Sequence, residues 1–301
     1  MVALIRLLKH LSKGLPYSAP SKSTPQCGLS GLHCATIKST TKRKGKTMSE
    51  TKTVAWAGLL RDAVNKPGII SKAYSAFHNY SVGNQLLAWS QCAARGVDLA
   101  PLATYKHWQA LGRQVKKGSK AITLCMPVTI KKENDAGETI GAKQVFILKR
   151  NWFLLTDTDG DQYAPSAPIA AWDKGKALEA LNISETPFAH ANGNCQGYAM
   201  GRTIAVNPVA ALPHKTTFHE LAHVVLGHTV EHTMSDSEQT PRDIREVEAE
   251  SVAYICCSVL GLDGLLESRG YIQGWLQGQD ITDKTAQRIF GAAEKILKAG
   301  A

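Results

Sequence analysis

The run His219-Glu220-Leu221-Ala222-His223 constrains this chain more than any other five residues in it. Two histidines four apart on an α-helix lie on one face, a turn above one another, so both imidazoles reach a single ion only if the segment is helical. Phe218, Leu221, Ala222, Val224, Val225 and Leu226 give that helix an apolar body, and Thr216 or Thr217 can cap its start. Glu220 projects beside the histidines, placed to take a proton from a water held by the ion and to return it later. Such a site needs a third protein ligand. Residues 242–260 read as a long helix, acidic at its start as the helix dipole favours. Glu246 and Glu250 are four apart on it and share a face, whereas Glu248 points elsewhere. Glu246, 23 residues past His223, is the expected ligand. Glu250 would then bond a ligand histidine and fix its tautomer, or serve as the ligand itself.

Zinc is the expected ion, with manganese or cobalt as alternatives, and the arrangement is that of a zincin, spread over residues 213–258. His228 and His232 lie near the motif but outside it, where a structural or surface role is expected rather than a ligand role. The strand Thr203–Asn207 precedes the motif helix and is expected at a sheet edge, where it could hold a peptide by strand addition. Tyr198 or Tyr254 could assist an oxyanion, and the spacing selects neither.

Elsewhere, punctuation by Gly and Pro divides the chain. Helices are expected over residues 50–66, 84–95 and 104–111, stopped by Pro67-Gly68, Gly96 and Gly112. Two apolar, branched-residue runs, 121–130 and 144–155, flank an acidic Gly-containing turn and read as a long hairpin. Residues 157–161 form a turn, and 164–171, with two prolines among small residues, is the linker candidate. Past it come helices near 172–181, 216–227, 242–260, 265–277 and 284–298, a strand at 202–207 and a polar loop at 233–241.

A net charge of +10 suggests nucleic acid only until its distribution is read. Residues 1–47 hold nine Lys or Arg and no Asp or Glu, so the remainder is nearly neutral and any anion-binding site must come from local clustering. Three readings of that basic segment stand open: a targeting-like stretch, a disordered arm touching phosphates, or an upstream start with translation from Met48. Its apolar run is too short and too charged to span a membrane, and no other segment approaches that length. Seven cysteines, with no C-x-x-C spacing, fit reduced thiols in the cytoplasm rather than a cysteine metal site.

Local clustering does occur over residues 78–120. Tyr80, Asn84, Trp89, Tyr105, Lys106 and Trp108 precede Arg113, Lys116, Lys117 and Lys120. Aromatics interleaved with cations suit single-stranded nucleic acid, whose bases stack while its phosphates follow the charges. A solvated basic loop beside a core Trp is the plainer reading of the same residues.

Taken in order, these segments resemble the ArdC-type antirestriction proteins of plasmids and other mobile elements. The resemblance spans roughly residues 50–300. It rests on Tyr80-Ser81-x-x-Asn84-x-x-Leu87, Thr104-Tyr105-Lys106, Leu111-Gly112-x-x-Val115-Lys116-Lys117-Gly118 and Phe153 before Thr158-Asp159-Gly160. It continues through Gly197-Tyr198, the His219–His223 motif and Glu246-x-x-Ala249-Glu250, which are also similar to ImmA/IrrE-type peptidases. It implies an α+β chain of two domains: residues 48–163 binding single-stranded DNA, and residues 172–301, mainly helical with a small sheet, forming a zinc metallopeptidase on a protein or peptide substrate. The alternatives are a DNA-protecting binding protein whose metal is structural, or a protease that cleaves regulators.

Overall fold

The computed structural model describes residues 54–133, 139–164, 171–189, 195–230, 241–276 and 281–301. The basic segment 1–47, His232, the loop 233–240 and most of the expected linker (165–170) lie outside them. Three helices come first: α1 (Trp56–Asn65), α2 (Ile69–Phe77) and α3 (Val82–Arg95). The second was not expected from the sequence, yet Ile69, Ile70, Ala73 and Phe77 form a stripe at helical spacing and all are buried. Gly68 makes the turn into it at φ 78°, two residues after the Lys66 cap of α1. Gly96 closes α3 in the left-handed conformation, as expected.

Strand β1 (Leu102–Thr104) runs into the short helix α4 (Tyr105–Ala110), followed by β2 (Arg113–Val115). The expected hairpin is present as β3 (Ile122–Glu133) and β4 (Thr139–Leu154), and a three-stranded antiparallel sheet has the order β1-β4-β3. The expected turn at 157–161 is instead a 3-10 turn (Leu155–Asp157) and a strand, β5 (Thr158–Gly160), which pairs with β2. Being at the edge, β3 would leave backbone groups open. Two amides of α3 cover them. Asn84 donates to the Cys125 carbonyl and accepts from its N–H, both at 2.8 Å. Gln91 does the same at Thr123, at 2.8 and 2.9 Å.

The rest comprises α5 (Lys174–Leu181), β6 (Ser184–Glu185), β7 (Gly197–Met200), β8 (Thr203–Val206), α6 (Pro213–Leu226), α7 (Arg242–Leu260), α8 (Leu265–Leu276) and α9 (Asp283–Ala299). Helix α6 starts three residues earlier than expected, with Pro213 at its first position, where a missing N–H costs nothing. Thr216 and Thr217 therefore do not cap it; their hydroxyls donate back to the Leu212 and Pro213 carbonyls one turn before. The small sheet has the order β6-β8-β7, which makes the expected edge strand at 203–207, here β8, the central one. Its neighbour β7, missed in the sequence, holds an edge among the described residues.

Among the described residues, helix α7 is the most enclosed element. Every residue from Val247 to Ser258 on it is buried, against α6, α8, α9 and α2. Helices α1 to α3 also pack there and on α9: Trp56 meets Phe290 edge-on at 6.3 Å, and the Val82 N–H donates to Glu294 at 3.2 Å. The α+β class holds, and one hydrophobic core runs from Trp56 to Leu297, continuing across the expected division at 164–171.

Trp108 is fully buried, with its Nε1–H on the Phe153 carbonyl at 2.9 Å and Tyr163 against its ring. Trp108→Ala should therefore cost about 3–5 kcal/mol of stability, and the exposed Lys117→Ala less than about 0.5 kcal/mol. Denaturant unfolding of the two variants checks this.

Candidate metal centre

The site forms where α6 lies along α7. One turn of α6 separates His219 from His223, and their Nε2 atoms stand 3.1 Å apart. Glu246, in the second turn of α7, brings Oε2 to 3.4 Å from His219 Nε2 and 3.7 Å from His223 Nε2. Around a tetrahedral ion with bonds of about 2.0–2.1 Å, ligand atoms are about 3.3–3.4 Å from one another. The three atoms fit that figure. Two bare imidazole nitrogens at 3.1 Å would also set lone pair against lone pair, so a proton or a cation has to lie among them. Among the described residues, these three form the group of metal-ligating side chains that converges on one point.

Glu250 has the outer role weighed for it. Its Oε2 bonds His219 Nδ1 at 3.0 Å, leaving Nε2 for the ion, while its Oε1 pairs with Lys215 at 2.7 Å. Burial works against charge on Glu250, but the bonds from His219 and Lys215 outweigh it and hold the carboxyl down at about 2. Burial likewise opposes a proton on His219, yet Glu246 and Glu250, one at each nitrogen, raise it to about 9. The two imidazoles beside it, His219 first and then His223, hold Glu246 well below the usual carboxylate range. Glu220 differs: burial raises its pKa above the ordinary value, and His219 and His223 only partly offset this. A carboxyl lifted toward neutrality suits exchange of a proton with substrate water.

Glycine at 197 lets β7 come this close. A Cβ there would lie 2.7 Å from Thr216 Cγ2 and 3.0 Å from Glu220 Oε1. Gly197, Tyr198 and Ala199 thus form one wall of an open cavity of about 420 Å³ that contains His219, Glu220, His223 and Glu246. Of the two tyrosines considered, Tyr198 lines that cavity, whereas Tyr254 is buried with its hydroxyl 3.4 Å from the Ala63 carbonyl. A larger cavity of about 570 Å³, against Phe77, Tyr80, Trp172 and Leu260, contains none of the motif residues.

Sequence reasoning placed His228 outside the ligand set but missed what it does there, and missed the use of Glu248. His228 Nδ1 is 3.0 Å from His223 Nδ1, and its Nε2 is 2.9 Å from Glu248 Oε2. Burial lowers the His228 pKa, and the Glu248 side chain is fully buried. The signal available was the glycine before it: Gly227, left-handed at φ 80°, ends α6 and turns residue 228 back so that its N–H donates to the His223 carbonyl at 2.8 Å.

The amino-terminal candidates divide by exposure. Asn84 is engaged on β3, and Trp108 offers no face to a base, so both serve the fold and not stacking. Tyr80 donates to the Leu102 carbonyl at 2.7 Å, and burial pushes its hydroxyl up to about 12. Trp89 packs partly against the core, with the Lys66 ammonium 5.9 Å from its ring centre. Arg113 bonds the Thr158 hydroxyl and carbonyl at 2.8 and 3.0 Å and ties β2 to β5. Lys106, Lys116, Lys117 and Lys120 are exposed, and Tyr105 is half-buried beside them, edge-on to Phe153.

The frame is thus an α+β chain with a two-histidine, one-carboxylate cluster on paired helices. Residues 47–158 match the family described as the N-terminal domain of anti-restriction factor ArdC, in keeping with the resemblance read from the sequence. Two crystal structures of antirestriction ArdC protein from R388 plasmid are similar to the chain. The metal-free one is 23% identical, covers 81% of this chain and 94% of its own, and has a TM-score of 0.48. For the Mn(II)-bound one the figures are 21%, 83%, 99% and 0.47. At this level the likeness says nothing of function. No curated protein matches the chain.

The protonation pattern sets a pH range for the metal-free chain. With its pKa raised to about 9, His219 adds stability that is complete below about 6.5 and is lost as pH rises through about 9. Glu250, lowered to about 2, adds stability that is present above about 4.5 and is lost as pH falls toward 2. Thermal melting of chelator-treated protein should peak between these limits, and His219→Ala should flatten the alkaline side.

Proposed function

We propose that this chain is an antirestriction factor that binds single-stranded DNA through its amino-terminal region and hydrolyses peptide bonds at a divalent metal held by His219, His223 and Glu246. The convergence of these three side chains on one point carries the metal reading. The match of residues 47–158 to the ArdC N-terminal domain supports the antirestriction and DNA reading. Zinc suits two imidazoles and a carboxylate, with manganese or cobalt as the alternative ions. When bound, the ion supplies Lewis acidity toward a carbonyl oxygen and toward water.

The chain's own residues do the rest. Glu220, 6% exposed and raised in pKa, accepts a proton at its carboxylate from the attacking water and passes it to the departing amine. Glu250 keeps His219 oriented through Nδ1. An extended peptide added to the outer edge of β7 would run along the cavity wall, its backbone bonded to Gly197–Met200. This is the strand-addition role first assigned to 203–207, moved one strand outward. For DNA, the exposed set of Tyr105, Lys106, Lys116, Lys117 and Lys120 offers cations for phosphates beside one half-exposed ring.

Three measurements test these readings. The full chain should hold about one equivalent of divalent metal, lost in His219→Ala and Glu246→Ala. Glu220→Gln should keep the metal and lose hydrolysis by about a hundredfold or more; full activity in that variant would sink the peptidase reading. Replacing Lys116, Lys117 and Lys120 together by Ala should weaken binding to single-stranded DNA and lower its salt slope by about 0.7 per lost phosphate contact.

A further inference from the structure

Three groups continue from His223 in a single file. His223 Nδ1 meets His228 Nδ1 at 3.0 Å, His228 Nε2 meets Glu248 Oε2 at 2.9 Å, and Arg288 stands 3.1 Å from the other Glu248 oxygen. The His228 side chain is 4% exposed and that of Glu248 0%. Neither is free to swing. Arg288 also donates to the Leu226 carbonyl at 3.1 Å, and Arg245 reaches the His228 carbonyl at 3.4 Å, so backbone and side chain are both held at the turn after α6.

Proton counting along this file fixes each role. Glu248, paired with Arg288, is the acceptor, so the proton of His228 that it meets sits on Nε2. His228 Nδ1 is then bare and can only accept. The single hydrogen between the two Nδ1 atoms therefore belongs to His223, whose Nε2 is left with a lone pair directed at His219 Nε2 and Glu246. The opposite tautomer would put a hydrogen where the ion has to bind.

We propose that His228 is a positioning residue of the metal centre: it accepts from His223 Nδ1, donates to Glu248, and so holds His223 in its ligating tautomer. The inference rests on the metal-centre reading above. It gives the two ligand histidines different supports. His219 leans on a carboxylate directly, and His223 reaches one through a second imidazole.

The test separates acceptor from packing by two substitutions at one position. Asn at 228 keeps an oxygen near where Nδ1 stands and abandons Glu248; Gln keeps an amide donor toward Glu248 and removes the group facing His223. Affinity of the full chain for Zn(II) is measured by chelator competition, with Co(II) absorption reporting the ligand geometry and thermal melting of the metal-free protein reporting the fold. His228→Gln should lose about tenfold or more in affinity, within the range for such outer partners, and shift the Co(II) bands, while His228→Asn stays near the unchanged chain. A Gln variant that binds as tightly as the unchanged chain overturns the relay, and so does an Asn variant that falls as far as Gln. Glu248→Gln, close in shape, gives a second arm: it frees the His228 tautomer, so affinity should fall, and an unchanged value overturns the proposal. Failure of the unchanged chain to bind either ion would instead overturn the metal-centre reading itself.

Discussion

Carboxylates buried on α7 govern the rest of this structure. A helix enclosed along twelve consecutive residues would ordinarily carry only apolar side chains, yet Glu248 and Glu250 lie inside that stretch. An unpaired buried carboxylate costs several kcal/mol, so each must meet a cation or strong donors. Lys215 and His219 answer Glu250, and His228 and Arg288 answer Glu248. Every one of these partners comes from α6, the turn after it, or α9. Satisfying α7 therefore fixes how those elements lie against it, and the same contacts orient the two imidazoles at Glu246.

The motif histidines, their carboxylate neighbour and the shared face of Glu246 and Glu250 were legible from helix periodicity, whereas only the packing of the two helices puts Glu246 at both Nε2 atoms and Glu250 at the outer nitrogen of His219. Four-residue spacing puts groups on a face, and α7 begins where its polar residues say it should. Glu248 was legible only as pointing elsewhere. What it points to depends on a turn and on a helix forty residues further along, and no local pattern encodes that. His228 is similar: a lone histidine after a glycine is ordinary, and only the left-handed turn at Gly227 gives it a place beneath His223.

Strands gave the harder problem. β6 and β7 are two and four residues long, too short for an alternating pattern, and their pairing with β8 is what makes them strands. That is why the central strand was taken for the edge. In the amino-terminal region, residue type misled in a different way. Asn84 and Trp108 look like ligand-binding residues because both carry polar donors, but the protein's own backbone uses those donors first, at Cys125 and Phe153. Exposure sorts the remainder: lysines at 106, 116, 117 and 120 face solvent, and Arg113 is engaged in holding two short strands together.

The composition of α7 also has a consequence for the helix taken by itself. Glu246 and Glu250, four apart, repel one another on an isolated helix, and a carboxylate pair of this kind weakens a segment that must already overcome helix nucleation. Only contact with His219 and Lys215 on α6 turns that repulsion into attraction. On its own α7 carries that repulsion, about 0.2–0.5 kcal/mol, and it is the docking of α6 that removes it, so the pair of helices is more favourable than the two taken apart.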